Sequence, residues 1–333
     1  MSKVSPPLVS VIVPVFNAEK HIHNGYNQIK AQDYTHLEII FIDNNSTDET
    51  CALIKQLQRT DRRVRLLHES RQGAGAARNK GVEEANSEYI AFFDIDDFWS
   101  KDRISRHVSI LLENPEIALV FGQMLKKYQD DSKNYLMPRA DFAPGKHLPS
   151  HLGKIWMQNF STLPGIPVCT CRRKYFRDCG GFPPELLRGE DAALMVKFGL
   201  QYVLYYDNYT VGTYLRHPDS TTSKSNRSQN IAYTYYMQRK LFYAVYVRTL
   251  GIKLKDPSIL KTLDRVIINS LNNYIHTHKE VKQRLYSVTQ ELDYLKEKGW
   301  GNILIYFKIK LFSLLPYWWS KQLLKVFIKL NLI

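Results

Sequence analysis

Three carboxylates stand within four residues, directly after an apolar run that ends at Phe93. They belong to Asp94, Asp96 and Asp97. The alternation of side chains along the predicted strand places Asp94 and Asp96 on the same side. Two carboxylates placed in this way repel each other unless a cation lies between them, and oxygen-only ligands favour Mg²⁺ or Mn²⁺ shared with substrate phosphates. The alternative is a solvated turn, where aspartate is common.

A further carboxylate, that of Asp43, ends another apolar run. A carboxylate at the end of a parallel strand can accept hydrogen bonds from the ribose or base of a nucleotide. Asp43 could equally be a turn or capping residue, a role that Ser46 and Thr47 share. We predict that Ser46 or Thr47 caps the helix that follows, with acidic residues in its first turn.

Two arginines and two glycines share the next polar loop, which contains Arg71, Gly73, Gly75 and Arg78. The spacing begins like the dinucleotide fingerprint G-x-G-x-x-G, but Arg78 occupies the third glycine position and the loop does not follow the first strand. Both departures disfavour a nucleotide-binding oxidoreductase. The glycines would let the backbone approach a diphosphate at a helix N-terminus, with the arginines supplying charge. A flexible turn with solvated arginines is the alternative.

Alternating apolar runs and helical stretches must position these side chains. The predicted strands are Val9–Val15, Leu37–Ile42, Val64–Leu67 and Glu88–Phe93, separated by helices over about 19–32, from 46 or 47, and over 75–85. This alternation predicts an open, mostly parallel α/β sheet. Ligands of such sheets bind beyond the carboxyl ends of the strands. We therefore expect Asn17, Asp43 and the aspartates after Phe93 to lie at one edge.

The pattern is weaker in the later part of the chain. Ala118–Phe121 and Tyr202–Tyr206 predict strands, 137–151 predicts a loop, and 191–200 predicts a helix. After Ser225 the composition changes to long helical stretches rich in tyrosine, lysine and arginine. The predicted organisation is therefore one domain over residues 1–225 and a helical region over 226–333.

Four segments follow one another in an order that is typical of one family. They are Pro14–Glu19, Glu38–Asp48, Gly73–Gly81 and Tyr89–Asp97. Together they resemble the family 2 glycosyltransferases, inverting enzymes with the GT-A fold. The resemblance implies a Rossmann-like, mostly parallel sheet with flanking helices, a nucleotide-sugar donor that is usually UDP-linked, and Mg²⁺ or Mn²⁺ at the acidic cluster. The donor-binding residues that it implies are Pro14, Phe16, Asn17, Asp43, Arg71, Gly75, Arg78, Asp94 and Asp96.

The same resemblance identifies a catalytic candidate. Gly180-Gly181-Phe182 precedes Glu190 and Asp191, and in the family an E-D pair after a G-G-F segment carries the acceptor side. Asp191 is then the general base and Glu190 its neighbour, because inverting displacement needs a carboxylate to take the proton of the acceptor hydroxyl. The alternative for both residues is the first turn of a helix, where negative charge suits the helix dipole.

Two positions depart from the family pattern. The segment 214–223 resembles the family's R-x-H-x-x-S loop, although Arg216 and His217 are adjacent here. His217 is a candidate for metal or diphosphate contact, or else a surface histidine in a turn. Asn44 stands where many members carry a second aspartate. The predicted metal ligands are Asp94, Asp96, Asp97 and His217.

The chain carries 46 Lys and Arg against 32 Asp and Glu, a formal charge of +14, which favours an anionic partner. Residues 301–333 contain no acidic residue, and Lys321, Lys325 and Lys329 form a stripe on one helix face beside apolar residues. The pattern predicts a helix on an anionic membrane surface; an amphipathic helix packed on protein is the alternative. Nucleic acid is disfavoured because the lysines alternate with aliphatic residues and no reading motif is present.

Four cysteines are too few for a disulfide framework and fit a reducing compartment. An apolar leader and a run of about 18 to 20 apolar residues are both missing. These features and the basic tail predict a cytoplasmic protein that is peripheral on the inner face of the cell membrane. The resemblance to family 2 implies an enzyme that glycosylates a glycan or lipid-linked acceptor, as in cell-surface polysaccharide biosynthesis. A non-catalytic GT-A-like protein that binds a nucleotide-sugar or acts as an adaptor is the other open class.

Overall fold

A computed structural model of the 333-residue chain describes residues 5–128, 134–138, 142–184, 186, 189–216 and 259. The chain divides into two units after Lys224, and all the elements given below belong to the first. His217 and the basic tail lie outside the described residues, and so does the predicted helical region over 226–333 except for residue 259. The boundary near residue 225 stays a prediction.

The strands of the described part form one sheet. They are β1 (Val9–Val15), β2 (Leu37–Asp43), β3 (Val64–His68), β4 (Tyr89–Phe92), β5 (Phe98–Trp99), β6 (Ile117–Tyr128), β7 (Tyr135–Met137), β8 (Gly145–His147), β9 (Cys169–Arg172) and β10 (Val203–Arg216). Their order is β3-β2-β1-β4-β9-β6-β10-β5, with β7 on β6 and β8 on β10. β1 to β4 are parallel, and so are β6 and β10. β9 joins the two parallel groups through antiparallel pairs, and the predicted α/β class is confirmed.

Helices connect and flank the strands. They are α1 (Ile22–Lys30), α2 (Thr50–Thr60), α3 (Ala74–Glu83), α4 (Arg103–Glu113), α5 (His151–Gln158), α6 (Arg173–Asp178) and α7 (Glu190–Gln201). Every residue of β2 is buried, as are all but one of β1, because these strands are covered on both faces. The first four strands match their predicted bounds to within one residue.

The start of α2 corrects a prediction. The helix begins at Thr50, so neither Ser46 nor Thr47 caps it. Asp48 instead accepts hydrogen bonds from the backbone N and from Oγ1 of Thr50, at 3.1 and 2.5 Å. Ser46 and Thr47 bind Asn17: Oγ of Ser46 accepts from its backbone N, and the backbone N of Thr47 donates to its Oδ1. These polar residues therefore join the loops after β1 and β2.

Two further expectations were wrong. β4 ends at Phe92, and the backbone N of Asp97 donates to the carbonyl of Asp94 at 2.9 Å. The aspartates therefore lie in a turn, and strand alternation does not govern their directions. The segment 137–151, predicted as a loop, contains β8 and the end of β7. Each of these strands is three residues long and is held by antiparallel pairing, β7 with β6 and β8 with β10. Their own sequences are too short to show a strand pattern.

Candidate active site

The parallel register of the first strands brings their polar ends to one edge of the sheet. Val15 lies opposite Asp43, and Asp43 lies opposite His68. Asn17 follows β1 with a positive φ of 47°, and Phe16 beside it is 52% exposed. The predicted donor-binding residues of the first two motifs thus lie at one edge of the sheet, and Pro14 lies in β1.

Asp43 is a buried and well-bonded carboxylate. Its Oδ1 accepts from the backbone N of Ser46 and its Oδ2 contacts Nδ1 of His68, both at 3.2 Å. Burial alone would raise the pKa of Asp43, but hydrogen bonds from Ser46, Cys51 and His68 outweigh burial and lower it. Burial and the neighbouring Asp43 raise the pKa of the Cys51 thiol to about 11. Asp43 is therefore an ionised acceptor held in one orientation.

Asn44 organises the loop that follows β3. Its Nδ2 donates to the carbonyls of Glu69 and Arg71, each at 2.8 Å, and its Oδ1 accepts from the backbone N of Gly73 at 2.7 Å. An aspartate has no donor for the two carbonyls. Asn44, which departs from the family pattern, thus shapes the loop through its side-chain amide.

The Gly/Arg loop packs towards the later motif. Nη2 of Arg71 donates to the carbonyl of Pro184 at 2.8 Å. A Cβ on Gly75 would stand 3.0 Å from Cγ of Glu190 and 3.2 Å from Cβ of Phe182. Gly75 therefore makes room for the start of α7 against the start of α3.

The acidic turn contains an unbalanced carboxylate. Asp97 is 2% exposed, and its Oδ1 has no hydrogen-bond partner among the described residues. Burial, followed by the charges of Asp94 and Asp96, raises the pKa of Asp97 well above its ordinary value. A buried carboxylate in this state must keep its proton or gain a cation. The all-oxygen donor set fits a hard divalent cation such as Mg²⁺ or Mn²⁺.

Arg78 connects the acidic turn to α7. Its Nη2 donates to Oδ1 of Asp94 at 2.7 Å, and its Nη1 lies 3.8 Å from Oε1 of Glu190. The guanidinium also lies over the ring of Phe182, 5.4 Å from its centroid. Burial would lower the pKa of Arg78, but Asp94, Glu190 and then Asp191 outweigh burial and raise it. The side chain is only 7% exposed, so its charge is already shared between two elements of the site.

The catalytic candidates occupy the first turn of α7. Gly189 precedes them with a φ of 79°, a conformation that suits glycine. The side chain of Glu190 is 16% exposed, and Oδ1 of Asp191 accepts from the backbone N of Ala192 at 2.8 Å. The contact between Glu190 and Arg78 thus joins the helix start to the acidic turn, and Asp191 is the next residue of the same helical turn.

The match to a known family covers β1 to β9 and the acidic turn, and it ends before the G-G-F segment and α7. The family model described as Glycosyl transferase family 2 matches residues 10–179. The chain belongs to glycosyl transferase family 2.

Curated relatives share part of this family 2 chain. The putative teichuronic acid biosynthesis glycosyltransferase TuaG of Bacillus subtilis is 38% identical over 108 residues, 32% of this chain and 43% of TuaG. The UDP-Glc:alpha-D-GlcNAc-diphosphoundecaprenol beta-1,3-glucosyltransferase WfgD of Escherichia coli is 35% identical over 116 residues, 34% of this chain and 45% of WfgD. The match therefore spans less than half of the length of either relative.

Solved structures show the same fold. S. aureus TarS 1-349 in complex with UDP-GlcNAc has a TM-score of 0.56 at 19% identity and covers 81% of each chain. The mannosyltransferase PcManGT of Pyrobaculum calidifontis, in complex with GDP-Man and Mn²⁺, has a TM-score of 0.56 at 18% identity and covers 98% of this chain and 89% of its own. At this identity the likeness concerns the GT-A-like fold of the family 2 chain.

One residue of the family 2 site had no predicted role. Nδ2 of Asn79 donates to the carbonyl of Phe182 at 2.8 Å, and Oδ1 of Asn79 accepts from the backbone N of Phe182 at 2.9 Å. A Cβ on Gly181 would stand 2.6 Å from Oδ1 of Asn79. The G-G-F segment is therefore clamped on α3. The sequence signal for Asn79 was its place beside Arg78 in the motif Gly73–Gly81.

Trp99, which follows the acidic turn, is a core residue. It is 6% exposed, its ring centroid lies 4.6 Å from that of Phe93, and its Nε1 donates to the carbonyl of Pro167 at 3.0 Å. Among the described residues, no helix has the length and apolar character needed to cross a membrane.

Proposed function

We propose that the protein is an inverting glycosyltransferase that moves a sugar from a UDP-linked donor to a hydroxyl group of a glycan or lipid-linked acceptor, in the assembly of a cell-surface polysaccharide. The observation that carries this proposal is the arrangement at the sheet edge, where Arg78 joins the acidic turn to the first turn of α7. The names of WfgD and TuaG, relatives from bacteria, support the donor and the pathway class.

The donor nucleoside would lie against Asp43. This carboxylate is ionised, buried and at the end of β2, where a ribose or base donor can reach it. Asn17, Phe16 and Pro14 border the same edge from β1 and the loop after it. Arg71 is exposed in the loop that Asn44 shapes. One Nη of its guanidinium is used by the carbonyl of Pro184, and its other N–H groups suit a contact with the diphosphate.

The acidic turn would hold the metal. Asp94, Asp96 and Asp97 supply only oxygen atoms, and the unpartnered Oδ1 of Asp97 fits a turn that a cation completes. When bound, Mg²⁺ or Mn²⁺ neutralises the diphosphate leaving group. Mn²⁺ accompanies GDP-Man in the PcManGT complex, which supports this choice of ion.

Asp191 would be the general base. In a single in-line displacement the acceptor oxygen bonds to the anomeric carbon on one face while the diphosphate leaves on the other, and a carboxylate takes the hydroxyl proton. Arg78 pairs with Glu190, which favours Glu190 as the residue that positions the helix start and Asp191 as the base. One displacement inverts the anomeric configuration.

The positive charge of the tail supports a location at an anionic surface. We propose that the basic tail over 301–333 holds the enzyme on an anionic lipid surface at the inner face of the membrane, where a lipid-linked acceptor would be presented. Deletion of the tail is then expected to release the protein from anionic liposomes. Liposome binding that persists without the tail would remove this part of the proposal.

A donor screen with a base variant tests the enzymatic proposal. Purified protein with Mn²⁺ and a panel of nucleotide-sugars is assayed for release of the nucleoside diphosphate. We expect Asp191→Asn to lower turnover by about 10²- to 10⁴-fold while donor-induced thermal stabilisation is retained. Asp178→Asn, at the exposed end of α6, is the matched control and should keep full turnover. Full turnover in Asp191→Asn would remove the proposed base.

A further inference from the structure

Three side chains with different metal-binding atoms converge beside the proposed donor site. The carboxylate of Asp43, the thiol of Cys51 and the imidazole of His68 each place one ligand atom within 4.8 Å of the other two. They come from three elements: the end of β2, the first turn of α2 and the end of β3. The parallel register sets Asp43 opposite His68, so two of the ligands are fixed by the sheet.

We propose that Asp43, Cys51 and His68 form a binding site for a thiophilic divalent cation such as Zn²⁺, and that a cation bound there excludes the donor nucleoside. The second half rests on the proposed function, because it takes Asp43 as the nucleoside acceptor. The site is separate from the acidic turn, whose oxygen-only ligands suit a harder ion.

The donor set selects the metal. Sulfur, imidazole nitrogen and carboxylate oxygen together are ligands of Zn²⁺, whereas Mg²⁺ and Mn²⁺ prefer oxygen. Three protein ligands leave a fourth tetrahedral position for water, as in open zinc sites. His68 is 62% exposed in its side chain, so an ion can reach the cluster from solvent without opening the core.

The surroundings orient the ligands. The two carboxylate oxygens of Asp43 have different contacts: Oδ1 accepts from the backbone N of Ser46, and Oδ2 faces Nδ1 of His68 at 3.2 Å. One oxygen is thus anchored while the other points into the cluster, which is the usual support for a carboxylate ligand. On binding, the thiol of Cys51 gives its proton to solvent and the thiolate bonds to the metal.

Exclusion of the donor follows from geometry. Asp43 is 4% exposed, and its Oδ2 contacts His68, the exposed member of the cluster. A cation bonded to that oxygen takes the acceptor away from a base or ribose donor and adds its own charge at the same place. Zn²⁺ would therefore act as a competitor of the nucleotide, and not as a catalytic ion.

Zinc titration of the intact protein tests the site. Affinity is measured by competition with a chromophoric chelator, and Co²⁺ is used as a spectroscopic substitute that reports thiolate bonding. The variants are Cys51→Ser and His68→Asn; His23→Asn, an exposed histidine in α1, is the matched control. His68→Asn changes an exposed side chain and so keeps the test valid should Cys51→Ser fail to fold.

We expect one zinc site in the wild type and in His23→Asn. Loss of a supporting residue around a metal ligand already costs about 10- to 100-fold in affinity, so loss of a ligand itself should weaken Zn²⁺ at least as much in both variants. The thiolate-to-Co²⁺ absorption band should vanish in Cys51→Ser. Wild-type affinity in both variants, or a wild-type Co²⁺ spectrum without a thiolate band, would overturn the site.

Addition of UDP to the zinc-loaded protein tests the exclusion. UDP is expected to release Zn²⁺ to the chelator, and Zn²⁺ to weaken UDP binding. Simultaneous binding of both would overturn the exclusion. If the protein bound zinc as expected but bound no nucleotide even with Mn²⁺ present, the proposed function would fail while the zinc site stood.

Discussion

Two carboxylate regions at the same edge of the sheet are completed in opposite ways. Asp43, at the end of β2, is buried with hydrogen bonds to both of its oxygens, and these bonds lower its pKa. Asp97, in the turn after β4, is buried with one oxygen unpartnered among the described residues, and its pKa is raised. The first carboxylate is ready to accept from a ligand. The second is balanced only by a proton or a cation.

Arg78 explains why the acidic turn is not balanced from within. This buried cation is bonded to Asp94 and lies near Glu190, so it ties the turn to α7. Its charge lowers the pKa of Asp97, but burial and the charges of Asp94 and Asp96 outweigh it. The comparison therefore supports the proposed division of roles, with donor recognition at the end of β2 and metal binding at the turn after β4. Arg78 holds that turn next to the start of α7.

Removal of Arg78 should give the largest change. Arg78→Met keeps most of the side-chain volume but leaves the carboxylates of Asp94 and Glu190 without their shared cation. We expect a loss of about 3 kcal/mol in the free energy of unfolding, at the lower end for a broken buried pair because Asp94 is partly hydrated. Urea denaturation measures it. Arg177→Met, exposed on α6, should change stability by less than about 0.5 kcal/mol. Equal stabilities in the two variants would show that Arg78 is not the link.

Neutralising Asp97 should remove a pH dependence. Because its pKa is raised on folding, the folded protein holds the proton more tightly than the unfolded chain. Stability from this group is full below the ordinary carboxyl pKa and is lost as pH rises through the raised value, at about 1.4 kcal/mol for each tenfold difference in proton affinity between the folded and unfolded chains. In a chelator, the unfolding temperature of the wild type should fall over that range, and that of Asp97→Asn should fall less.

The pH experiment on Asp97→Asn includes a control variant and a measurement with Mn²⁺. Asp178→Asn should keep the wild-type pH slope, since that carboxylate is exposed. Mn²⁺ should restore the stability of the wild type at the higher pH, because the cation replaces the proton as the partner of the turn. A slope in Asp97→Asn equal to that of the wild type would contradict the assignment of the unbalanced charge to Asp97.

Substitution of Asn44 should have a smaller effect and sharpen the donor half. Asn44→Asp removes the donor to the carbonyls of Glu69 and Arg71 and sets a carboxylate against them. An unsatisfied buried group costs about 1–3 kcal/mol, and we expect a loss in that range by urea denaturation, together with weaker UDP binding. Asn27→Asp, exposed in α1, is the matched control. Unchanged stability and UDP binding would show that the amide does not shape the loop.

The first half of the sheet was readable from the sequence because β1 to β4 are continuous apolar runs with polar ends. The second half was less readable for physical reasons. α4 hides its core face because Arg103 and His107 are fully buried there, and polar residues at core positions break the apolar period. The partners of Arg78 lie on a turn and a helix that are far from it in the sequence. No local sequence pattern therefore predicts that Arg78 joins them. The site residues themselves were identified through motifs, whereas their contacts needed the fold.

The binding of Mn²⁺ and UDP to wild type and Asp96→Ala tests the central claim most directly. Thermal unfolding is followed with Mn²⁺, with UDP and with both, and a ligand that binds only the folded state raises the unfolding temperature. The division of roles predicts that UDP stabilises the wild type strongly only with Mn²⁺ present, that Asp96→Ala loses this Mn²⁺-dependent increment, and that Asp178→Ala keeps it. An Asp96→Ala variant with the full Mn²⁺-dependent increment would contradict metal binding at the acidic turn.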